Sequence, residues 1–232
     1  MRIVLYISVL LIHFIANAQV FENRILKPFN KIEVSKGEEL IFTESNVPSI
    51  KVETDDLEKI NRIATEISGG VLKVYVNKLK ENRDFNFKIL KVTVSQANVS
   101  SFSVSTGASI AVTNAITQAK LRLDVSSGAH FEGKLLVSSL EGDFSSGSSS
   151  SLSGSCETAR ITATSAANCD ARKLLIQEAK IFASSVSTVS TTVKKSLVAK
   201  ASSRAIIEYV GKPEEVVIEK SSMGRVVSQF RI

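Results

Sequence analysis

Two aspartates with the same sequence surroundings are the first candidates for chemistry. Asp124 and Asp143 each stand two residues before a Ser-Ser-Gly triplet. If the two triplets lie on neighbouring parallel strands, the carboxylates stack about 5 Å apart. Such a pair can hold a cation such as calcium, or serve a carbohydrate-active enzyme that acts on acidic polysaccharides. The alternative is an exposed ion ladder, in which Arg122, Glu141 and Arg160 compensate both aspartates. We expect the ion ladder, and we expect neither catalytic residues nor a cofactor. Asp124 and Asp143 remain the sole candidate metal ligands.

The histidine and the cysteines offer little further chemistry. His130 is the single histidine after residue 18, so one chain cannot build a His-rich metal site, and we expect His130 at the surface. Cys156 and Cys169 are the two cysteines. Their places in the repeat predict buried free thiols at different corners, which act as small apolar side chains rather than as a disulfide.

A triplet that recurs at a nearly fixed interval sets the spacing of these residues. Its third residue, here position zero, recurs after 21, 19, 19, 20, 18 and 19 residues. The two residues before it are Ser or Thr in all seven copies, and the residue after it is Ala, Ser or Gly. A fixed period of this length is typical of a repeat array. The copies are Ser105-Thr106-Gly107, Ser126-Ser127-Gly128, Ser145-Ser146-Gly147, Thr164-Ser165-Ala166, Ser184-Ser185-Val186, Ser202-Ser203-Arg204 and Ser221-Ser222-Met223.

Apolar residues follow the same register at positions −5, −3 and +3. They alternate with polar residues, which predicts a strand, a tight corner and a second strand in each copy. One such turn cannot bury its inner face, but stacked turns can. We therefore predict an all-β fold: a right-handed parallel β-solenoid of about seven coils of 18–21 residues, the hand following the usual sense of parallel crossovers. A hexapeptide solenoid needs a strict period, and an antiparallel sandwich has no reason to keep one side-chain type at one register.

The remaining segments give a three-part organisation. Residues 1–18 have a basic start, an apolar run and the small-residue site Ala16-Asn17-Ala18, which predicts a cleaved signal peptide and export to the periplasm, cell surface or medium. Residues 19–95 alternate without the triplet and are predicted to form a β-rich cap, continuous with a solenoid over residues 96–232. We expect no transmembrane segment in the mature chain. The net charge of +6 is mild and the basic residues are scattered, so we expect no nucleic-acid partner.

The serine-rich stretch and the last coil carry further expectations. Residues 145–155 contain eight serines, but the register continues through them and predicts ordered coil, with Ser150 inward as a weak point. The hydroxyls at position −2 could bind sugars or order water, although we prefer a hydrogen-bond ladder at the corner. Lys220, Arg225 and Arg231 should discourage edge-to-edge growth of the last coil.

Several segments in this order resemble a known family. They are the opening residues 25–34, Ser68-Gly69-Gly70 with the strand after it, the repeated triplets and the late Tyr209-Val210-Gly211-Lys212-Pro213. Together they resemble the putative auto-transporter adhesin head domain (the GIN domain) of exported bacterial proteins, over nearly the whole mature chain. The resemblance implies a β-helix, an envelope or surface location and no catalytic residues. Three late corners depart from the family's Gly, which leaves their geometry open; they carry Val186, Arg204 and Met223.

The predicted function is an exported, non-enzymatic binding or adhesion module. Its expected partner is a glycan or an extracellular or envelope protein. The alternatives are a carbohydrate-active β-helix enzyme that uses the stacked aspartates and a purely structural envelope protein. The sequence leaves the oligomeric state undetermined.

Overall fold

The computed structural model describes residues 20–25, 27–77 and 90–229, so the predicted signal peptide lies outside the described residues. It contains one four-residue helix, α1 (Leu57–Ile60), and no helix among the described residues is long and apolar enough to cross a membrane. The strands, in chain order, are β1 (Val20–Arg24), β2 (Lys31–Ser35), β3 (Glu39–Glu44), β4 (Ser49–Thr54), β5 (Ile63–Ser68), β6 (Val71–Val76), β7 (Leu90–Gln96), β8 (Ser101–Ser105), β9 (Ser109–Val125), β10 (His130–Phe144), β11 (Ser149–Ala163), β12 (Asn168–Ala183), β13 (Thr188–Ala201), β14 (Ile206–Val210), β15 (Glu215–Lys220) and β16 (Arg225–Gln229).

The long strands β9 to β13 pair in parallel, each with the next in the sequence. Each of β10, β11 and β12 runs from one corner to the following corner, so a strand and its sequence neighbour form successive turns. The pairing is in the register of the repeat: His130 lies opposite Ser149, and Asp143 lies opposite Asp124. The predicted all-β fold and β-solenoid of about seven turns are therefore confirmed.

The corners are built by the main chain. At each of the seven triplets, positions −1 and zero have positive φ, as in Ser127 (55°) and Gly128 (70°). The Gly128 N–H donates to the Ser146 carbonyl oxygen of the next coil at 2.9 Å, and the Ala129 N–H closes the turn on the Ser126 carbonyl oxygen at 3.1 Å. Among the described residues, the hydroxyl groups at positions −2 and −1 make no hydrogen bond. The expected hydrogen-bond ladder at the corners is therefore formed by main-chain groups and not by these hydroxyls.

The three corners without the family's glycine or an alanine keep the same backbone shape. Position zero has φ 65° at Val186, 62° at Arg204 and 64° at Met223. A left-handed conformation is unfavourable for a side chain with a Cβ, and most of all for a β-branched one. The ladder of the stacked coils imposes this conformation in spite of the residue type.

The core follows the predicted alternation, with large and small residues in compensating places. Phe131 at position +3 is fully buried, and its ring packs beside Phe102 with the centroids 5.6 Å apart. In the following half-coil, Gly142 makes room for Phe144: a Cβ at Gly142 would lie 2.8 Å from the Phe144 ring. Ser150 is inward and buried, as expected, and its hydroxyl has no hydrogen-bond partner.

The parallel register begins earlier than the sequence indicated. Lys36 and Gly37 form a corner with φ of 71° and 81°. The strands on its two sides, β2 and β3, pair in parallel with β8 and β9 of the first triplet coil. The signal was hidden because this corner carries Lys36 in place of Ser or Thr, and Glu38 in place of a small residue. Next to this turn, β6 and β7 still pair in parallel with β2 and β3. Only beyond β6 and β7 does the pairing become antiparallel: β7 with β4, β4 with β1, and β6 with β5.

Candidate functional site

The outward residues that precede each corner form one continuous surface, here called the outer face. It consists of positions −6, −4 and −2, which alternate with the buried positions −5 and −3. Because the coils stack in register, each position forms a row along the solenoid. Position −4, whose row contains both candidate aspartates, carries Ser103, Asp124, Asp143, Thr162, Phe182, Lys200 and Glu219.

At one end of the outer face, Arg122 binds three carboxylates. Its Nε and Nη2 donate to the two oxygens of Asp124 at 2.9 and 3.1 Å, and Nη2 also donates to Asp143 Oδ2 at 3.0 Å. Nη1 lies 2.9 Å from Glu141 Oε2. The hydrogen bond and the charge of Asp124 raise the pKa of the Arg122 guanidinium above its ordinary value.

This arrangement leaves the aspartates little capacity for a cation. The structure brings Asp124 and Asp143 together, as the repeat predicted, but the Arg122 fork lies between them and uses oxygens that a cation would need. Among the described residues, no group of three or more His, Cys, Asp or Glu side chains is placed to hold a metal ion. Arg160, which we expected in the same ion ladder, instead stacks on an aromatic ring of the next coil.

His130 contacts a serine of the next coil. Its Nδ1 lies 2.8 Å from Ser149 Oγ, at hydrogen-bond distance. A serine nucleophile needs a base that a third group holds in place. In the part of the chain that the structure describes, no carboxylate is hydrogen-bonded to the other ring nitrogen, so the pair lacks that group.

The cysteines are free thiols inside the solenoid, as predicted. Burial raises the pKa of Cys156 to about 11 and that of Cys169 to about 12. A thiol with so high a pKa is almost entirely protonated at neutral pH and is a poor nucleophile. Both cysteines therefore act as small apolar core residues.

The other end of the outer face holds a groove around an aromatic ring, here called the Phe182 groove. Its volume is ≈ 380 Å³, within the range of small-ligand sites. The Arg160 guanidinium carbon lies 4.7 Å from the centroid of the Phe182 ring, and Lys200 pairs with Glu219 at 2.9 Å. The groove is lined by hydroxyls that have no protein partner among the described residues; they belong to Thr162, Thr164, Ser184, Ser202 and Ser221.

The groove was not predicted from the repeat, although the sequence contains its signal. Phe182 is an aromatic residue at position −4, where the other coils carry polar or charged residues. An aromatic residue at an outward position of a regular array has no core to enter. It therefore marks the coil as different, more clearly than the aspartates do.

Comparison with solved structures finds the same fold in bacterial proteins. A putative adhesin from Bacteroides fragilis superimposes with a TM-score of 0.85 at 18% identity, covering 92% of this chain and 98% of that chain. A putative lipid binding protein from Parabacteroides distasonis gives 0.74 at 16%, and a putative adhesin from Parabacteroides merdae 0.73 at 16%, each covering 93% of this chain and 98% of theirs.

The sequence comparisons agree with the resemblance seen in the segments. No curated protein sequence matches the chain. A family model does match, over residues 28–213, which include the Lys36-Gly37 corner and six of the seven triplets. The chain therefore belongs to the family described as putative auto-transporter adhesin, head GIN domain.

Proposed function

We propose that the protein is an exported, non-enzymatic binding module and that the Phe182 groove contacts a glycan. The observation that carries this proposal is an aromatic ring on the outer face, stacked by Arg160 and surrounded by hydroxyls without protein partners. The family name and the names of two of the three solved relatives support an adhesive role, whereas the third is named a putative lipid binding protein.

The chemistry of the groove suits a sugar. The face of a sugar ring carries C–H groups that pack on an aromatic ring, while its hydroxyls need donors and acceptors around that ring. Thr162, Ser184 and Ser202 offer both roles, and Lys200 offers a charged donor. Rows of equivalent residues repeat at about 4.8 Å along the solenoid, so an extended polymer can contact several coils at once.

We further propose the hand of the coil, an N-terminal cap and export of the protein. We assign a right-handed coil because parallel crossovers strongly favour that hand. We assign the antiparallel strands β1, β4 and β5, with α1, to an N-terminal cap, because a solenoid end must cover its apolar core. Export rests on the sequence of residues 1–18, and places the protein in the periplasm, at the cell surface or in the medium.

The test is binding of purified residues 19–232 to an array of glycans and extracellular-matrix proteins, with and without calcium. Saturable binding to one class of glycan, equal in both conditions, is the expected result. Binding to matrix proteins alone would replace the glycan with a protein ligand. The absence of binding with and without calcium would contradict the proposal and favour a purely structural envelope protein.

The second candidate is the carbohydrate-active enzyme that uses the stacked aspartates, since Asp124 and Asp143 do lie opposite each other. The Arg122 fork between them argues against it. Calcium-dependent turnover of an acidic polysaccharide, abolished in the Asp124→Asn/Asp143→Asn double variant, would establish the enzyme. No turnover by the wild-type protein removes it.

A further inference from the structure

The far end of the solenoid is an open edge. Strands β15 and β16 form the last coil, and within the described residues no later strand pairs with either of them. Every residue of β15 is exposed, including Val217 at 52% and Ile218 at 40%. An exposed apolar edge strand is a ready template for pairing with another chain.

The main-chain groups that point outward from this edge follow from the hydrogen bonds of the last coil. The Ser221 N–H donates back to the Ala201 carbonyl oxygen, and the Arg225 N–H donates back to the Ala205 carbonyl oxygen. The N–H and C=O of successive strand residues point alternately to the two edges. Ile218 in β15 and Val226 in β16 therefore present their N–H and C=O groups to the open side.

We propose that this end pairs with the same end of a second copy, about a two-fold axis at Ser222. Strand β15 then lies antiparallel to β16 of the partner subunit, and β16 lies antiparallel to β15 of the partner subunit. Each residue before Ser222 faces the residue equally far after Ser222 in the other copy. Ile218 faces Val226 of the partner subunit, and Glu219 faces Arg225 of the partner subunit.

The main chain and the core positions fit this register. Ile218 and Val226 both present their hydrogen-bonding groups to the open side, as an antiparallel pair that exchanges two hydrogen bonds requires. Both are also inward residues, so the two cores become continuous. Next to them, the inward Lys220 faces Gly224 of the partner subunit, which has no side chain to meet it.

The outward positions fit the same register independently. Val217, more than half exposed, faces Val227 of the partner subunit, so each covers the other's apolar surface. Glu219, which also pairs with Lys200 of its own chain, meets the opposite charge of Arg225 of the partner subunit, once on each side of the axis. Among the described residues from 211 to 229, the charges also balance: Lys212, Lys220 and Arg225 stand against Glu214, Glu215 and Glu219.

A two-fold axis explains how the end is covered without continued growth. A head-to-tail contact would leave a new open end on every added copy and produce a filament. The two-fold pairing covers both ends at once and stops at a dimer. The expected role of the terminal basic residues against edge-to-edge growth is thus compatible with one closed contact, because each Arg225 meets a glutamate.

The first test is the mass of purified residues 19–232 in solution by sedimentation equilibrium, with two charge reversals as a matched pair. Arg225→Glu sets like charges against each other at both symmetric places, and should weaken the dimer about tenfold or more. Arg204→Glu makes the same charge change one coil earlier, outside the contact, and should leave the dimer unchanged; both residues are exposed. A wild-type protein that is monomeric up to about 100 µM, or that forms species larger than a dimer, would overturn the proposal.

The second test fixes the register with cysteines. Val217 and Val227 of the partner subunit form a pair without main-chain hydrogen bonds, whose Cα atoms should lie about 4.5 Å apart, within disulfide range. Val217→Cys/Val227→Cys should therefore give a covalent dimer on oxidation. Val217→Cys/Ser228→Cys should not, because position 228 faces the interior. The native thiols are buried and will not interfere. A stable dimer without the first crosslink would overturn the proposed register.

Discussion

Glu38 is the residue with the most unusual surroundings. It occupies position +1 of the first corner, where the triplet coils carry Ala, Ser or Gly. Its side chain is fully buried, and neither carboxylate oxygen has a hydrogen-bond partner. Burial raises the pKa of Glu38 to about 7, against a smaller opposite effect of the Lys36 charge. Glu38 therefore makes the fold sensitive to pH.

Replacing Glu38 by Gln should stabilise the protein at pH 8 and have little effect at pH 4. At pH 4 the carboxyl is mostly protonated in both states, because its unfolded pKa is 4.5. As the pH rises to 7, the unfolded chain loses the proton first, so the free energy of unfolding falls by up to about 3 kcal/mol. Urea unfolding of the wild type and Glu38→Gln at the two pH values measures the difference. Glu39→Gln, at the exposed neighbour, is the control: it keeps Glu38, so its free energy of unfolding should fall with pH just as that of the wild type does.

Phe131 tests the register at a residue that the sequence did assign. An aspartate at this fully buried position has no partner for its charge, so Phe131→Asp should lower the free energy of unfolding by several kcal/mol. Unfolding in urea gives the value. An unchanged midpoint would mean that the +3 position does not face the core.

The predictions for single residues were confirmed where the alternation of the strand alone decides whether a side chain faces the core. Phe131 and Ser150 were placed inward by the two-residue period, and both are buried. The period also brought Asp124 and Asp143 together and named Arg122 among the residues that compensate their charge, as the structure shows. It could not show that Arg160 would leave this ladder, because the period does not determine the conformation of a long side chain. Arg122 binds the aspartates, whereas Arg160, at the same position two coils later, stacks on Phe182.

At the scale of the elements, the corner is the unit that the repeat specifies. In all seven triplets, positions −1 and zero adopt the left-handed conformation. Only the first three triplets have glycine at position zero; the fourth has Ala166. The sequence predicted the corners from the Ser/Thr pair, but it left their shape open where the glycine is absent. The structure shows that stacking decides that shape, because the N–H at position zero continues the ladder in each coil up to Arg204.

Val186→Gly should therefore stabilise the protein by about 1 kcal/mol, because it removes a β-branched residue from a left-handed conformation. Val186 is 60% exposed, so little packing is lost. The reverse change, Gly128→Val, should cost a similar amount, since a Cβ at Gly128 meets no atom within 4 Å and only the backbone is affected. Urea unfolding of both variants measures the pair. Stabilisation by Gly128→Val would contradict the proposed origin of the strain.

At the scale of the whole molecule, the repeat predicted the stack but not its ends. Identical coils repeat one signal, so seven copies were enough to give the solenoid. The coils at the ends of a solenoid differ in sequence from the repeat, and each such difference occurs only once in the chain. The Lys36-Gly37 corner escaped notice for this reason, and so did the open edge of β15 and β16. The fold was therefore predictable from the sequence, whereas the features that distinguish one coil from another needed the structure.

The same division holds for the outer face. Its rows were predictable, but its groove arises from one aromatic residue, Phe182, set among hydroxyls from neighbouring coils. If that groove binds a glycan, the stacked rows extend its surface along the solenoid and permit contact with a polymer. Glycan binding at this groove thus depends on Phe182, a side chain that departs from the repeat.

The most direct measurement is equilibrium binding of the wild-type protein, Phe182→Ala and Leu136→Ala to the glycan class that the array identifies. Leu136, 41% exposed and away from the groove, is the matched control, and thermal unfolding verifies that all three proteins are folded. The account predicts about tenfold or weaker binding by Phe182→Ala, because the loss of the ring removes the surface on which the sugar packs, and unchanged binding by Leu136→Ala. Equal binding by Phe182→Ala and the wild type would contradict the claim.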